Sequence, residues 1–234
     1  MSGGLWAVIP AAGVGRRMGG QSPKQYLPLA GQPVLVHSMA PFAALDGLLG
    51  MVVALSPGDR WWQSLVVPPG LPVETVVGGE ERAHSVRNAL ARLAGRADEQ
   101  DWILVHDAAR PCLRTADLHR LVSALREDPV GGLLGSPVHD TLKQVDEEGC
   151  SAGTVDRRRM WRAFTPQMFR FGALTAALDA QLGNGVAGTD ECMAMEAAGL
   201  RPRLIEGHAD NIKITRPADL ELAEAILAAR GDGQ

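Results

Sequence analysis

The stretch that most constrains this chain is its first apolar run, Leu5-Trp6-Ala7-Val8-Ile9-Pro10, with the loop that leaves it, Ala11-Ala12-Gly13-Val14-Gly15-Arg16-Arg17-Met18-Gly19. A short buried strand that runs into small residues, glycines and two arginines is suited to holding phosphate. Glycine lets the main chain adopt angles closed to other residues and approach a ligand. Successive N–H groups in such a turn form an anion nest, and cationic side chains add directed contacts. Lys24, after Pro23, brings a third positive charge close by. Neither familiar glycine motif fits. Gly13 and Gly15 open a dinucleotide fingerprint whose third glycine falls on Met18, and no G-K-[ST] ending marks a Walker A loop. Spacing alone also allows a plain strand turn with solvated arginines.

Further apolar runs alternate with helical patterns. Leu48 to Leu55, Leu71 to Val77, Trp102 to His106 and Val130 to Leu134 read as strands, and 48–55 is apolar throughout, as in a sheet covered on both faces. Helices are predicted over 32–39, with Pro33 in the first turn, over 59–67 as a short piece, and over 85–93 with Val86, Leu90 and Leu93 on one side. Another is predicted over 115–126, striped by Leu118, Leu121, Val122 and Leu125. This alternation predicts an α/β fold, a doubly wound, mostly parallel sheet with helices on both faces. Ligands of such sheets sit beyond the carboxyl ends of the strands, so the loops at Gly13, Gly79 and Asp107 should share one rim.

The alternation breaks over 138–159. Thr141 to Val145 and Thr154 to Arg157 suit two strands of a protruding β-hairpin arm. A lone hairpin is marginal in water. It should pack on something, most simply a second subunit, with its own domain as the alternative. From Met160 to Thr165 the chain enters Pro166-Gln167, and helices follow over 171–182 and from the Thr189-Asp190 cap to Ala198. A strand at 203–206, an extended piece at 211–214 and a last helix from Pro217 complete the pattern. The 234 residues read as a single domain, 1–234, with the arm at about 138–159.

Bulk properties exclude several classes. A formal charge of -4 with no dense basic stripe argues against a nucleic-acid surface. No signal-peptide pattern opens the chain and no apolar run reaches bilayer length, so a cytoplasmic protein without membrane contact is expected. Cys112, Cys150 and Cys192 are far apart and form no C-x-x-C pair, as reduced thiols would be. The histidines are equally scattered, which argues against a histidine-built metal site.

The residues suited to chemistry are charged and dispersed. Asp107 follows an apolar strand, where a carboxylate serves a metal, a substrate, a helix N-terminus or a local turn. Beside a triphosphate loop it suits Mg²⁺, whose sites use one or two carboxylates plus substrate phosphates. Asp210, near Lys213, offers a second carboxylate or a surface acid. Arg17, Lys24, Arg157 and Lys213 each read alone as solvated cations; gathered on one rim they would neutralise two phosphate-bearing substrates. Phosphoryl and nucleotidyl transfer asks for such positioning more than for a protein nucleophile. No G-x-S-x-G elbow is present, and Ser85 suits a helix start or a base contact.

The blocks PAAGVGRRMGGQSPKQYLPLAGQPVLVHS, GGEERAHSV, VHDAARPC, PVHDTLK, TVDRRRMWRAFTPQMF and DNIKITRPADLELA span the chain from near residue 5 to 228. With them the chain resembles the 2-C-methyl-D-erythritol 4-phosphate cytidylyltransferases of the non-mevalonate isoprenoid pathway. The resemblance implies a Rossmann-like nucleotidyltransferase fold, a homodimer, and a Mg²⁺-dependent reaction of CTP with methylerythritol phosphate. It gives Arg17 and Lys24 the attacked α-phosphate and Lys213 the reacting phosphates, as catalytic residues. Ala11, Ala12, Gly13, Gly79 and Ser85 match the CTP loops, with Glu80 where aspartate would also be acceptable, and Asp107 matches the carboxylate for nucleotide and magnesium. Arg110, Thr165, Thr141 and Arg157 match the acceptor-phosphate site, the last two reaching it from the arm across the dimer. His139 stands where arginine is more usual; a neutral imidazole would supply less charge. A cytidylyltransferase acting on ribitol 5-phosphate would share the same CTP rim. A nicotinamide-dependent oxidoreductase is opposed by Met18, and a non-catalytic nucleotide-binding module would not need Lys24 and Lys213 together.

Overall fold

A computed structural model describes residues 3–13, 22–185 and 188–231. Its first strand, β1 (Leu5–Ala11), is the spine of the molecule. Side chains of a strand alternate between faces, and here Ala7 and Ile9 pack into one apolar layer while Trp6 and Val8 pack into the other. β1 pairs in parallel with β4 (Leu48–Leu55) and β6 (Trp102–Val105). Beyond β4 lies β5 (Val73–Val77); beyond β6 come β10 (Trp161–Arg170), β7 (Gly131–Pro137) and β11 (Arg203–Glu206). The seven-stranded sheet thus runs β11-β7-β10-β6-β1-β4-β5, with β10 antiparallel to both neighbours and every other pair parallel.

Helices cover both faces. On one, α1 (Val34–Met39) and α3 (Thr115–Leu125) bury Leu35, Met39, Leu118 and Leu121 against Ile9, Met51 and Leu104. On the other, α2 (Arg82–Leu93), α4 (Phe171–Gly183) and α5 (Glu191–Ala197) pack Val86, Leu90, Leu174 and Met195 on Val8, Val52 and Val105. The last helix, α6 (Pro217–Gly231), covers the short ladder of β2 (Pro28–Leu29) and β3 (Gln32–Pro33) through Ala223 and Leu220. The arm is a separate two-stranded sheet, β8 (Leu142–Val145) against β9 (Ser151–Val155), and it is largely exposed. Among the described residues no helix is long and apolar enough to cross a membrane.

One expectation is corrected, and two segments take a form the sequence did not specify. The helix predicted over 59–67 is only a 3-10 turn at Trp62–Ser64. Asp59 organises that segment instead, accepting the N–H groups of Trp61 and Trp62, both at 3.0 Å, and the Tyr26 hydroxyl at 2.8 Å. A side chain that satisfies backbone donors in this way competes with helix formation. Second, residues 161–170 form one long strand through Pro166, which follows a cis Thr165–Pro166 bond. The ladder to β7 shifts register between Ala163 and Gln167, so the proline sits where no N–H is required. Third, the extended piece at 211–214 joins no strand of the sheet; Ile214 N donates instead to Ala109 O at 2.8 Å.

Candidate active site

The carboxyl ends of β1, β5 and β6 deliver three loops to one rim. Ala11 to Gly13, Gly79 to Glu81 and Asp107 to Ala109 enclose a cleft of about 170 Å³, with Lys24, Ser85 and Lys213 also in its wall. The close approach of the loops is what glycine permits. A Cβ on Gly78 would lie 2.5 Å from the Ala12 methyl and 2.7 Å from Ser85 Oγ. Ser85 holds the second loop to the first turn of α2: its hydroxyl accepts Gly79 N at 3.1 Å and donates to Glu81 O at 3.2 Å. Helix α2 therefore begins three residues earlier than its apolar stripe, at Arg82 rather than Ser85. Gln25, 2% exposed, donates its amide to Ala11 O at 2.7 Å and fixes the exit of β1.

Asp107 is the centre of charge. Its carboxylate is buried, and Lys213 Nζ lies 2.8 Å from Oδ2, Arg82 Nε 2.9 Å from Oδ1 and Arg110 Nε 3.4 Å from Oδ2. Burial alone would raise the carboxyl's pKa; the cationic charges of Arg82, Lys213 and Arg110 outweigh it and hold the group well below the usual carboxylate range. Arg82 also forks onto the buried carboxylate of Glu191, at 2.5 and 2.9 Å. The backbone is held as firmly. Asp107 N donates to Thr165 Oγ1 at 3.0 Å, the Thr165 hydroxyl bonds His106 Nδ1 at 2.9 Å, and His106 Nε2 donates to Arg110 O at 3.2 Å. Burial pushes the imidazole's pKa down to about 4, which keeps it neutral at pH 7. Lys24 Nζ donates to Ile214 O at 2.8 Å, which brings the ammonium beside the Lys213 segment.

The cleft gathers Ala11, Ala12, Gly13, Lys24, Gly79, Glu80, Ser85, Asp107 and Lys213 from the sequence-predicted set. Arg110 and Thr165 lie just beneath it, both buried; the Arg110 guanidinium reaches Asn211 O at 2.7 Å and Ala163 O at 3.3 Å. Thr141 and Arg157 are exposed on the arm, 3.5 Å apart between Oγ1 and Nη1, and do not line the cleft of a single chain. Arg17 lies outside the described residues. The reading of Asp210 as a second carboxylate beside Lys213 is corrected: it pairs with Arg114 at 2.5 Å and Arg230 at 3.0 Å, tying α6 to the start of α3. Arg82 and Glu191 were not foreseen. Arg82 follows two glutamates at a helix start and reads as a solvated charge, and nothing local marks Glu191.

Among the described residues no three His, Cys, Asp or Glu side chains cluster as a metal cage. Asp107 nevertheless suits a cation that brings its own phosphate ligands. Asp107 lines the cleft, and a single carboxylate oxygen beside a triphosphate is a donor set that Mg²⁺ accepts.

The family model for 2-C-methyl-D-erythritol 4-phosphate cytidylyltransferase matches residues 5–229. The enzyme of that name from Pseudomonas fluorescens (strain Pf-5) is 54% identical over 218 residues, covering 93% of this chain and 93% of its own. That of Hahella chejuensis is 50% identical over 223 residues, covering 95% of this chain and 92% of its own. The crystal structure of the Francisella tularensis enzyme superposes with a TM-score of 0.81 at 32% identity, over 95% of this chain and 99% of the other.

Proposed function

The chain belongs to the 2-C-methyl-D-erythritol 4-phosphate cytidylyltransferase family and transfers a cytidylyl group from CTP to 2-C-methyl-D-erythritol 4-phosphate, and on that premise we propose that the Asp107 cleft is where the transfer occurs. In this reading Ala11, Ala12, Gly13, Gly79, Glu80 and Ser85 receive CTP at the strand ends. A phosphate oxygen of the acceptor attacks the α-phosphorus in line. A new P–O bond forms as the bond to the β-phosphate oxygen breaks, and pyrophosphate leaves with its electron pair. No covalent enzyme intermediate is needed, and the residues act by positioning and by offsetting charge.

Lys24, Lys213 and Arg17 are the catalytic cations. Lys213 starts on Asp107 and is free to turn to the phosphates, since its side chain is 38% exposed. Asp107 would hold Mg²⁺, which supplies charge neutralisation for the phosphate oxygens when bound. Arg110 and Thr165 shape the acceptor side from beneath, and Thr141 and Arg157 complete it from the arm of a partner in a homodimer. The exposure of the arm and its lack of a packed core of its own favour that arrangement. The functional unit is a single domain, 1–234, acting in the cytoplasm on two small phosphorylated substrates.

The observation that carries the site assignment is the pair of ammonium groups, Lys24 and Lys213, in one glycine-built cleft beside Asp107. A module that only binds nucleotide has no use for both. The test is CTP- and Mg²⁺-dependent pyrophosphate release with methylerythritol phosphate and ribitol 5-phosphate in parallel, for the wild type and Lys24→Ala. Release with the former acceptor, reduced about 100-fold or more in a folded Lys24→Ala, is expected. Near-normal turnover in that variant would remove Lys24 from the mechanism.

A further inference from the structure

Two charged residues of the site play no part in that mechanism: Arg82, the first residue of α2, and Glu191, the first of α5. Glu191 is 0% exposed, and the Arg82 fork is the partner of both its oxygens, Nη1 to Oε1 at 2.5 Å and Nη2 to Oε2 at 2.9 Å. The remaining edge of the guanidinium, Nε, donates to Asp107 Oδ1 at 2.9 Å. A rigid planar group with donors assigned to two carboxylates has one orientation.

Glu191 is itself held in place. Asp190 caps α5 by accepting Met193 N at 3.0 Å. Gln167 of β10, 1% exposed, donates to Asp190 Oδ2 at 2.9 Å and accepts Cys192 N at 2.7 Å. Two residues earlier on the same strand, Thr165 accepts Asp107 N. One strand therefore fixes both the main chain at Asp107 and the start of α5, and Arg82 links the two side chains.

The geometry points to Arg82 and Glu191 as a positioning pair for cytidylyl transfer: Glu191 restrains the Arg82 guanidinium against Asp107, so that Asp107 keeps its place when Lys213 turns to the substrate phosphates. The inference rests on the reading of the Asp107 cleft as the CTP site. Once Lys213 leaves Oδ2, that oxygen keeps only the long 3.4 Å contact with Arg110, and the Arg82 bond to Oδ1 becomes the short one. Arg82 is also part of the cleft wall. Released from Glu191, it becomes a mobile cation beside a triphosphate. A cation drawn onto ground-state phosphates strengthens substrate binding without matching the charge that develops at the transition state. Loss of Glu191 should thus cost turnover and not affinity. Lysine at position 82 keeps the charge but cannot serve both carboxylates from one planar group.

The experiment measures kcat, KM for CTP and the melting temperature for wild type, Glu191→Gln, Arg82→Lys, the double variant and Asp107→Asn, all assayed well below the melting transition. In both single variants kcat is expected to fall about 10- to 100-fold, with KM for CTP unchanged or lower. The double variant should be no worse than the weaker single one, because the pair acts as a unit. Wild-type kcat in folded Glu191→Gln, losses that multiply in the double variant, or losses that merely track the unfolded fraction would each overturn the proposal. If Glu191→Gln does not fold, Arg82→Lys decides by the same split of kcat from KM. Asp107→Asn separates the two readings. Full activity there unseats the cleft itself, whereas an inactive Asp107→Asn beside a wild-type-like Glu191→Gln refutes the positioning pair alone.

Discussion

Asp107→Asn tests the charge balance of the cleft more sharply than any other single change. The substitution keeps shape and removes one negative charge. Before it, Asp107 faces Arg82, Arg110 and Lys213; after it, Arg82 keeps Glu191 while Arg110 and Lys213 lose their carboxylate. Removing one partner of a buried pair costs about 3–5 kcal/mol because the other charge is stranded. Arg110, with a side chain 10% exposed, is stranded in that sense, while Lys213 at 38% can turn to water. The lower end, about 3 kcal/mol, is therefore expected, which lowers the melting temperature of a chain this size by roughly 6–12 °C. Turnover should fall about 100- to 1,000-fold, on the scale of losing one preorganised group. Affinity should move the other way. The altered cleft carries one more net positive charge, so CTP without Mg²⁺ should bind as tightly as to the wild type or several-fold tighter. Differential scanning calorimetry, titration of Mg²⁺-free CTP and steady-state rates read the three effects separately. A variant that melts like the wild type, or binds Mg²⁺-free CTP more weakly while folded, would refute the electrostatic account.

Two further outcomes concern the arm and the buried His106. Arg157→Ala should raise KM for the acceptor about tenfold or more, in line with losing a charged contact, while KM for CTP stays constant; the reverse pattern would remove the arm from the acceptor site. The buried His106 predicts an acid-dependent loss of stability. Its folded pKa is about 4 against about 6.5 unfolded, so between those values the unfolded chain takes up the proton first and stability falls as pH falls. The loss totals about 3 kcal/mol across that window. Urea titrations at pH 7 and pH 4.5 should show a smaller decline for His106→Gln than for wild type, and parallel declines would contradict the neutral buried imidazole.

What the sequence made legible is what local chemistry demands. The strand at 48–55 reads directly because a strand covered on both faces is apolar at every position, and the stripes of α2 and α3 survive because each helix buries one side. The glycine loops and Asp107 read as a rim for a similar reason: close backbone approach requires glycine, and a carboxylate straight after a buried strand must have partners. β10 escaped because it interrupts its apolar pattern with Thr165, Pro166 and Gln167, polar or donor-less residues whose partners lie on other elements. Asp210 misled for the converse reason. It lies three positions before Lys213 in sequence, yet its carboxylate turns to Arg114 and Arg230.

The Arg82–Glu191 pair marks where sequence reading stops in principle. The two residues lie 109 positions apart, and a buried ion pair needs neither periodicity nor a turn residue at either end. Each alone resembles a solvated charge at a helix start; only the fold reveals that Glu191 is fully buried and that the Arg82 fork meets both its oxygens. A buried carboxylate of that kind adds little net stability next to an apolar replacement of similar volume. Its presence at the back of the cleft is better accounted for by what it does to Arg82, and through Arg82 to Asp107, than by any contribution to holding α5 on the sheet, which Gln167 and the apolar contact of Met195 already provide.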